Sequence, residues 1–126
     1  MTKEIILTEN APAPIGPYSQ AVKAGNTLYV SGQIPMNPQT GAIENETIEA
    51  ETNRVMQNID AVLKAANYSF GDVVKATIFI TDMNLFGRIN AVYANYFTAN
   101  PPARETVQVA RLPKDVNVEI SVIAVQ

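Results

Sequence analysis

Two charged residues near the end of this chain stand where a solvated loop would not put them. Arg104 opens the run that follows Pro101-Pro102, and Glu119 lies inside the closing run NVEISVIAV, between Val118 and Ile120. Arginine offers a planar fork of N–H donors that matches a carboxylate in bidentate fashion. Glutamate is a candidate general base for a water molecule. A carboxylate within a β run otherwise points to solvent, because burying it unpaired is costly. On pattern alone both readings of Glu119 stay open.

The residue types that are missing narrow the chemistry. The chain has no cysteine and no histidine. That excludes thiol nucleophiles, thiolate metal sites, disulfides, His-dependent triads and HExxH zinc sites. The glycines are scattered, at 16, 25, 32, 41, 71 and 87, and form no phosphate-cradling loop. Catalysis therefore has to rest on Arg, Lys, Glu, Asp, Tyr, hydroxyls and backbone amides. Lys75, within VVKATIFI, is the lysine nearest to an apolar setting, and alternation gives it a solvent-facing position.

Length and composition bound the rest. With 126 residues, 47% of them hydrophobic and 17% charged, the chain is expected to form one domain, 1–126, with a real core. A net charge of -3 argues against a nucleic-acid partner, which requires a basic face. No run of about 18 apolar residues is present, so no membrane span is expected. The opening MTKEIILTEN lacks the features of a signal peptide, and a cytoplasmic location is expected.

The elements that must position the charged pair follow from periodicity and turn chemistry. A short strand is expected over Glu4–Leu7, then a Pro-rich loop NAPAPIGP that presents Tyr18 and Ser19 at its exit. Gln20–Ala24 and Thr27–Ser31 read as a hairpin around Gly25-Asn26. Gly32, in SGQIP, permits either a close backbone approach or a plain turn. Apolar residues at helical spacing predict a helix over Thr47–Asn67, with Thr47 as N-cap, Glu49 and Glu51 at the positive end of the dipole, and Asn67 as a left-handed C-terminal cap. Asp72–Ile80 reads as a β-branched strand. A second helix, capped by Asp82 or Asn84, runs to about Thr98, with Tyr93, Tyr96 and Phe97 assigned to the core. Thr106–Ala110 and Asn117–Val125 close the chain as strands.

The order β-β-β-α-β-α-β-β implies an α+β fold with both helices on one face of a mixed sheet. Ile123 and Val125 share the uncovered face of the last strand with Glu119 and Ser121, and a partly apolar second face implies a partner chain, most simply a second copy. If the last two strands pair as a hairpin, Arg104 and Glu119 lie roughly 16 Å apart at ordinary strand rise. They then cooperate only across a subunit interface.

The segments IGPYSQA, YVSGQIP, INAVYANYF and PPARETVQVARLPKDVNVEI, in this order and spacing, closely resemble the RidA/YjgF/YER057c/UK114 family of reactive intermediate deaminases, over essentially the whole chain. The resemblance implies a chorismate-mutase-like homotrimer with sites in the clefts between subunits. It implies hydrolysis of 2-imino and enamine acids, such as 2-iminobutyrate and 2-iminopropionate from threonine and serine dehydratases, to 2-keto acids and ammonia, with no metal and no cofactor. Carried over position by position, Arg104 clamps the substrate carboxylate and Glu119 positions or activates the attacking water. Tyr18, Ser31 and Asn90 shape the pocket, and the backbone at Gly32 and Thr106 holds substrate or water.

The chain departs from the family at three places: Glu105 replaces Ser or Ala, Thr106 replaces Cys, and Ser121 replaces a common second acid. Glu105 brings a negative charge close to the carboxylate clamp, although alternation points it away from the Arg104 side. A non-catalytic module that binds small carboxylates or keto acids in the same cleft, or acts as a chaperone, is the alternative. A ribonuclease fits poorly with an acidic chain that lacks histidine.

Overall fold

The computed structural model describes residues 2–126. Six strands form one mixed sheet: β1 (Lys3–Ile6), β2 (Ala21–Ala24), β3 (Thr27–Gln33), β4 (Val73–Ile80), β5 (Ala103–Gln108) and β6 (Val118–Val125). Their spatial order is β1-β2-β3-β6-β4-β5. Helix α1 (Ile48–Ala65) connects β3 to β4, and helix α2 (Phe86–Ala94) connects β4 to β5. The fold is α+β, as the element order implies.

The last strand enters the sheet between β3 and β4 and runs antiparallel to both. Its pattern is strict: Val118, Ile120, Val122 and Ala124 are buried, while Glu119, Ser121, Ile123 and Val125 are partly exposed. The buried set joins Leu28, Val30, Ala76, Ile78 and Ile80 from β3 and β4 beneath the helices. Alpha1 covers this face with Val55, Met56, Ile59, Val62 and Leu63, all fully buried. Spacing of three and four residues puts that set on one stripe. Thr47 caps the helix, accepting from the Ala50 amide at 3.0 Å, and Asn67 takes the left-handed conformation expected of it (φ 62°).

Three expectations are corrected. Beta5 does not form a hairpin with β6. It pairs in parallel with β4, so that β4 separates the two closing strands. A parallel neighbour needs a long crossover, and α2 supplies it. Beta5 also begins earlier than expected, at Ala103, which brings Arg104 into the sheet, where it stands opposite Ala76. The second helix ends at Ala94 rather than near Thr98, and the chain leaves it through a tight turn in which Phe97 and Tyr96 still pack on the core.

The loop after β3 is held from inside. Asn58, on α1, has no exposed surface. Its Nδ2 donates to the carbonyls of Ile34 and Met36, each at 3.0 Å, and its Oδ1 accepts from Arg54 Nη2 at 3.0 Å. Removing the amide takes the donor from two part-buried carbonyls. Asn58→Ala is expected to destabilise the protein by about 2–3 kcal/mol, read as a lower urea midpoint with an unchanged slope.

Candidate active site

Side chains that stand opposite one another in a ladder share a face of the sheet. Arg104 stands opposite Ala76, which is fully buried under the helices. Glu119 stands opposite Phe79, on the other face. In one chain the two charged residues therefore lie on opposite faces, and no rotamer brings them together. Each heads a separate cluster.

The first cluster surrounds Glu119. Between Val30 and Gln33 the β3–β6 register slips, so that β3 carries one extra residue, and Ser31 and Gly32 form the resulting bulge. Glu119 folds over this bulge. A β-carbon on Gly32 would lie 2.8 Å from Glu119 Cδ and 3.1 Å from Cγ, and nearer still to Oε2. Gly32 is thus a glycine because the carboxylate occupies the space of a side chain. Of the two sequence readings, close approach is the one realised. Ser31 donates its hydroxyl hydrogen to the Ser19 carbonyl at 2.6 Å, and its amide donates to the Gln20 carbonyl at 2.9 Å.

Gln20 is buried and pins the Pro-rich loop. Its Oε1 accepts from the Thr8 amide at 2.7 Å, and its Nε2 donates to the Thr8 carbonyl at 3.0 Å and the Pro12 carbonyl at 2.9 Å. The loop then delivers Ile15 and Tyr18, both at least half exposed. Together Ile15, Tyr18, Ser31, Gly32, Ile34, Pro113, Lys114 and Glu119 line an open cleft of about 430 Å³. Lys114 and Asp115 both hold positive φ, 58° and 56°. Two consecutive non-glycine residues in the left-handed region are strained, by roughly 1–2 kcal/mol each. The Arg111–Asp115 contact at 2.6 Å closes the turn that contains them.

Among the described residues no hydrogen bond or ion pair reaches Glu119, and burial alone pushes its carboxyl above the ordinary carboxylate range. A half-buried, unpaired carboxylate with a raised pKa, facing a cleft, is poised to take a proton from water.

The second cluster surrounds Arg104, on edge strand β5. Arg104 Nη1 donates to Asn90 Oδ1 at 2.6 Å. The guanidinium lies 5.4 Å from the Phe86 ring centre and 5.0 Å from that of Tyr93, both on α2. Aromatic faces favour a cation at this distance and leave its outer N–H groups available. The Tyr93 hydroxyl and Thr106 Oγ1 are buried and lack a hydrogen-bond partner among the described residues. Such atoms are rare in a complete fold, because each costs roughly 1–3 kcal/mol. Sequence reasoning assigned Tyr93 to the core. It is buried, but its hydroxyl and its contact with Arg104 make it part of this cluster as well. The signal was its spacing from Asn90, one helical turn apart on the face toward β5.

Of the expected residues, Glu119, Tyr18, Ser31 and Gly32 come together in one cluster, and Arg104, Asn90 and Thr106 in the other. Glu105 lies on the open face, opposite Thr77. Lys75 Nζ contacts its Oε1 at 3.0 Å, and Thr77 donates to its Oε2 at 3.2 Å. These hydrogen bonds, Lys75 first, hold its pKa below the ordinary value. The negative charge next to Arg104 in sequence is therefore turned away from it and paired.

The fold and these clusters define a class of α+β proteins with an open cleft at a bulged sheet face. The comparisons narrow it. The family model described as Endoribonuclease L-PSP matches residues 8–126. A RutC family protein of Pyrococcus horikoshii is 57% identical over 122 residues, covering 97% of each chain. A protein of Salmonella typhimurium named 2-iminobutanoate/2-iminopropanoate deaminase is 49% identical over 124 residues, covering 96% of each. Among solved structures, Escherichia coli TdcF with bound serine superposes with a TM-score of 0.94 at 48% identity, covering 98% of each chain. A Rid family protein from Yersinia pestis gives 0.97 at 50% identity, covering 99% of this chain and 100% of that one. The chain belongs to the RidA family, which the L-PSP model describes.

Two substitutions test the geometry of the clusters. Gly32→Ala forces the Glu119 carboxylate from its seat, and ligand-independent titration of Glu119 is expected to move toward the ordinary carboxylate value. Glu105→Ala is expected to leave the urea midpoint close to that of the parent, because exposed pairs contribute little.

Proposed function

We propose that this protein hydrolyses reactive 2-imino and enamine acids to 2-keto acids and ammonia, in clefts formed where the Arg104 cluster of one copy meets the Glu119 cluster of the next. The observation that carries this reading is the separation of the two clusters on opposite faces of one sheet, each chemically unfinished by itself. Arg104 is exposed and hydrogen-bonded to Asn90, with the partnerless Tyr93 hydroxyl and Thr106 Oγ1 on the same side, and the Glu119 carboxylate has no hydrogen-bond or ion-pair partner among the described residues. The Escherichia coli relative TdcF was solved with bound serine, a small molecule that bears an α-carboxylate. Relatives at 49% identity bear the deaminase name.

The chemistry asks little of the protein. In a 2-imino acid the C2 carbon is already electrophilic once the nitrogen is protonated. Arg104 clamps the carboxylate, held flat by Asn90, Phe86 and Tyr93. Thr106, next along the same face of β5, offers its backbone and hydroxyl. Glu119 takes a proton from water as the oxygen adds to C2, giving a tetrahedral carbinolamine. Glu119 passes that proton to the nitrogen, then takes the hydroxyl proton as the C–N bond breaks, so that ammonia leaves as the carbonyl forms. The Ser31 oxygen, having donated its hydrogen to Ser19, accepts from the substrate N–H. An enamine enters the same course after protonation at its β-carbon. Orientation and one base account for the acceleration.

The assembly follows from the same surface. Ile5, Tyr29, Val74 and Val107 are exposed on or beside the open sheet face, and β5 is an unpaired edge. Edges and apolar faces of this kind are covered by other chains. We read the assembly as a homotrimer, the domain as single and the location as cytoplasmic; no helix among the described residues is long and apolar enough to cross a membrane.

A coupled assay in which a threonine dehydratase generates 2-iminobutyrate tests the reaction. Arg104→Ala and Glu119→Gln are each expected to lower kcat/KM by about 10²–10⁴-fold. Co-refolding the two dead variants in equal amounts is expected to recover about one quarter of the wild-type activity. In a cyclic trimer a site works only when its Arg and its Glu come from different intact donors. No recovery would place both residues in one subunit's site or in none.

The pH dependence has a defined sign. Glu119 acts as a base when ionised, so kcat/KM is expected to fall as pH drops through its raised pKa. A raised folded-state pKa favours folding below the ordinary carboxylate pKa, and that contribution is lost as pH rises through the raised value. At neutral pH the ionised carboxylate is therefore a burden on stability, and Glu119→Gln is expected to raise Tm while abolishing turnover, as read by calorimetry.

A further inference from the structure

Glu51 is the one fully buried acidic side chain of the described residues, at 1% exposure, and sequence reasoning gave it only a helix-dipole role. It sits in the first turn of α1 and reaches across to the start of β6. Its Oε2 accepts from the Asn117 amide at 2.6 Å, and its Oε1 accepts from Asn117 Nδ2 at 2.9 Å. Asn117 is held from the other side by Thr81, whose amide donates to the Asn117 carbonyl at 3.1 Å and whose hydroxyl donates to Asn117 Oδ1 at 3.3 Å. Every polar group of Asn117 is thereby occupied, and two of its four bonds end on one carboxylate.

We propose that Glu51 is a positioning residue for Glu119, acting through Asn117. The sheet itself leaves this stretch under-held. Beta6 pairs with β3 only from Ile120 onward, because β3 ends at Gln33, one pair beyond the bulge at Ser31-Gly32. Val118 and Glu119 are paired on the β4 side alone, with Ile80 and Phe79. On the other side of Asn117 runs the strained turn through Lys114 and Asp115, whose Pro113 and Lys114 line the cleft. Asn117 therefore joins a strained loop to a strand end that lacks one neighbour. Glu51 fixes that junction from the core. The Glu119 carboxylate makes no hydrogen bond of its own, so the course of its backbone decides where it rests.

The chemistry of the contact requires two acceptors, because both Asn117 atoms that face Glu51 are donors. A carboxylate supplies both. Glutamine supplies one, and the Asn117 amide can invert to match it, since the Thr81 hydroxyl accepts as readily as it donates. Leucine, of similar volume, supplies none and leaves both Asn117 donors, the backbone amide and Nδ2, without that partner.

The inference rests on the imine-hydrolysis reading only for its kinetic readout, so the test carries a second one. In Glu51→Leu, kcat for 2-iminobutyrate is expected to fall about tenfold or more while KM stays within about twofold, since Arg104 is on the other face and a misplaced base is costly. Carbon-13 titration of the Glu119 carboxyl, assigned with Glu119→Gln, is expected to move toward the ordinary carboxylate value in the same variant. Glu51→Gln is expected to restore both toward the parent. Should Glu51→Leu fail to fold, Asn117→Ala is read in its place, with the same direction expected and a smaller change. A folded Glu51→Leu or Asn117→Ala protein with parental Glu119 titration would overturn the inference. If the wild-type protein hydrolyses no imine, the proposed reaction falls and the titration still decides the positioning role.

Discussion

The structure depends on the alternation of side chains along a strand, imposed on a sheet that is covered by helices on one face only. Once α1 and α2 bury Ala76, Ile78, Ile80, Ile120 and Val122, every ladder row is committed to one face or the other. Arg104 falls on the covered side, at an edge where the helix layer is thin enough to leave it exposed. Glu119 falls on the open side. The separation of the two charged clusters is not a detail of loops, which could adjust. It is set by the period of the strand, and a one-residue slip of β6 to undo it would turn Val118, Ile120, Val122 and Ala124 out of the core. A protein built this way has either two unrelated charged sites or one site completed by another copy.

The Glu119 seat is a compromise between burial and ionisation. Most charged side chains of known partner in this chain are paired at the surface: Lys64 with Asp60, Lys75 with Glu105, Arg88 with Glu49, Arg111 with Asp115. Glu119 has no such partner and is more buried than they are. An ion pair would lower its pKa, whereas half burial over a glycine bulge raises it. The glycine is the means: it admits the carboxylate against the backbone where any side chain would expel it.

Much of this was legible in the sequence, for reasons that differ by residue. Alternation along NVEISVIAV gave the two faces of β6, and alternation at Arg104-Glu105 gave the outward direction of Glu105, because both depend only on neighbours in the chain. Thr47 and Asn67 were legible because caps are local. The place of β5 was not. Its parallel pairing with β4 depends on a crossover through α2 and on β6 inserting elsewhere, and adjacency in sequence pointed to a hairpin. The first strands illustrate the contrast, since β2 and β3 do form the expected hairpin around Gly25-Asn26. Glu51 escaped notice because its two donors belong to Asn117, and no pattern in the sequence links residues so far apart.

The buried polar side chains share one use. Gln20 holds the Thr8–Pro12 loop, from which Tyr18 follows. Gln33 reaches back to the Ser31 carbonyl at 3.3 Å. Asn58 holds Ile34 and Met36, and Glu51 holds Asn117. Each takes a segment that lines or adjoins the Glu119 cleft and fixes it to the core, and Thr52, which bonds within its own helix, is the exception. A buried amide or carboxylate contributes little net stability over a well-packed apolar residue of the same volume. Its contribution lies in specifying where irregular backbone must run, which apolar packing does poorly. The cleft is built from a bulge, a Pro-rich loop and a left-handed turn, none of which the sheet ladder can place, and the buried polar residues place them instead.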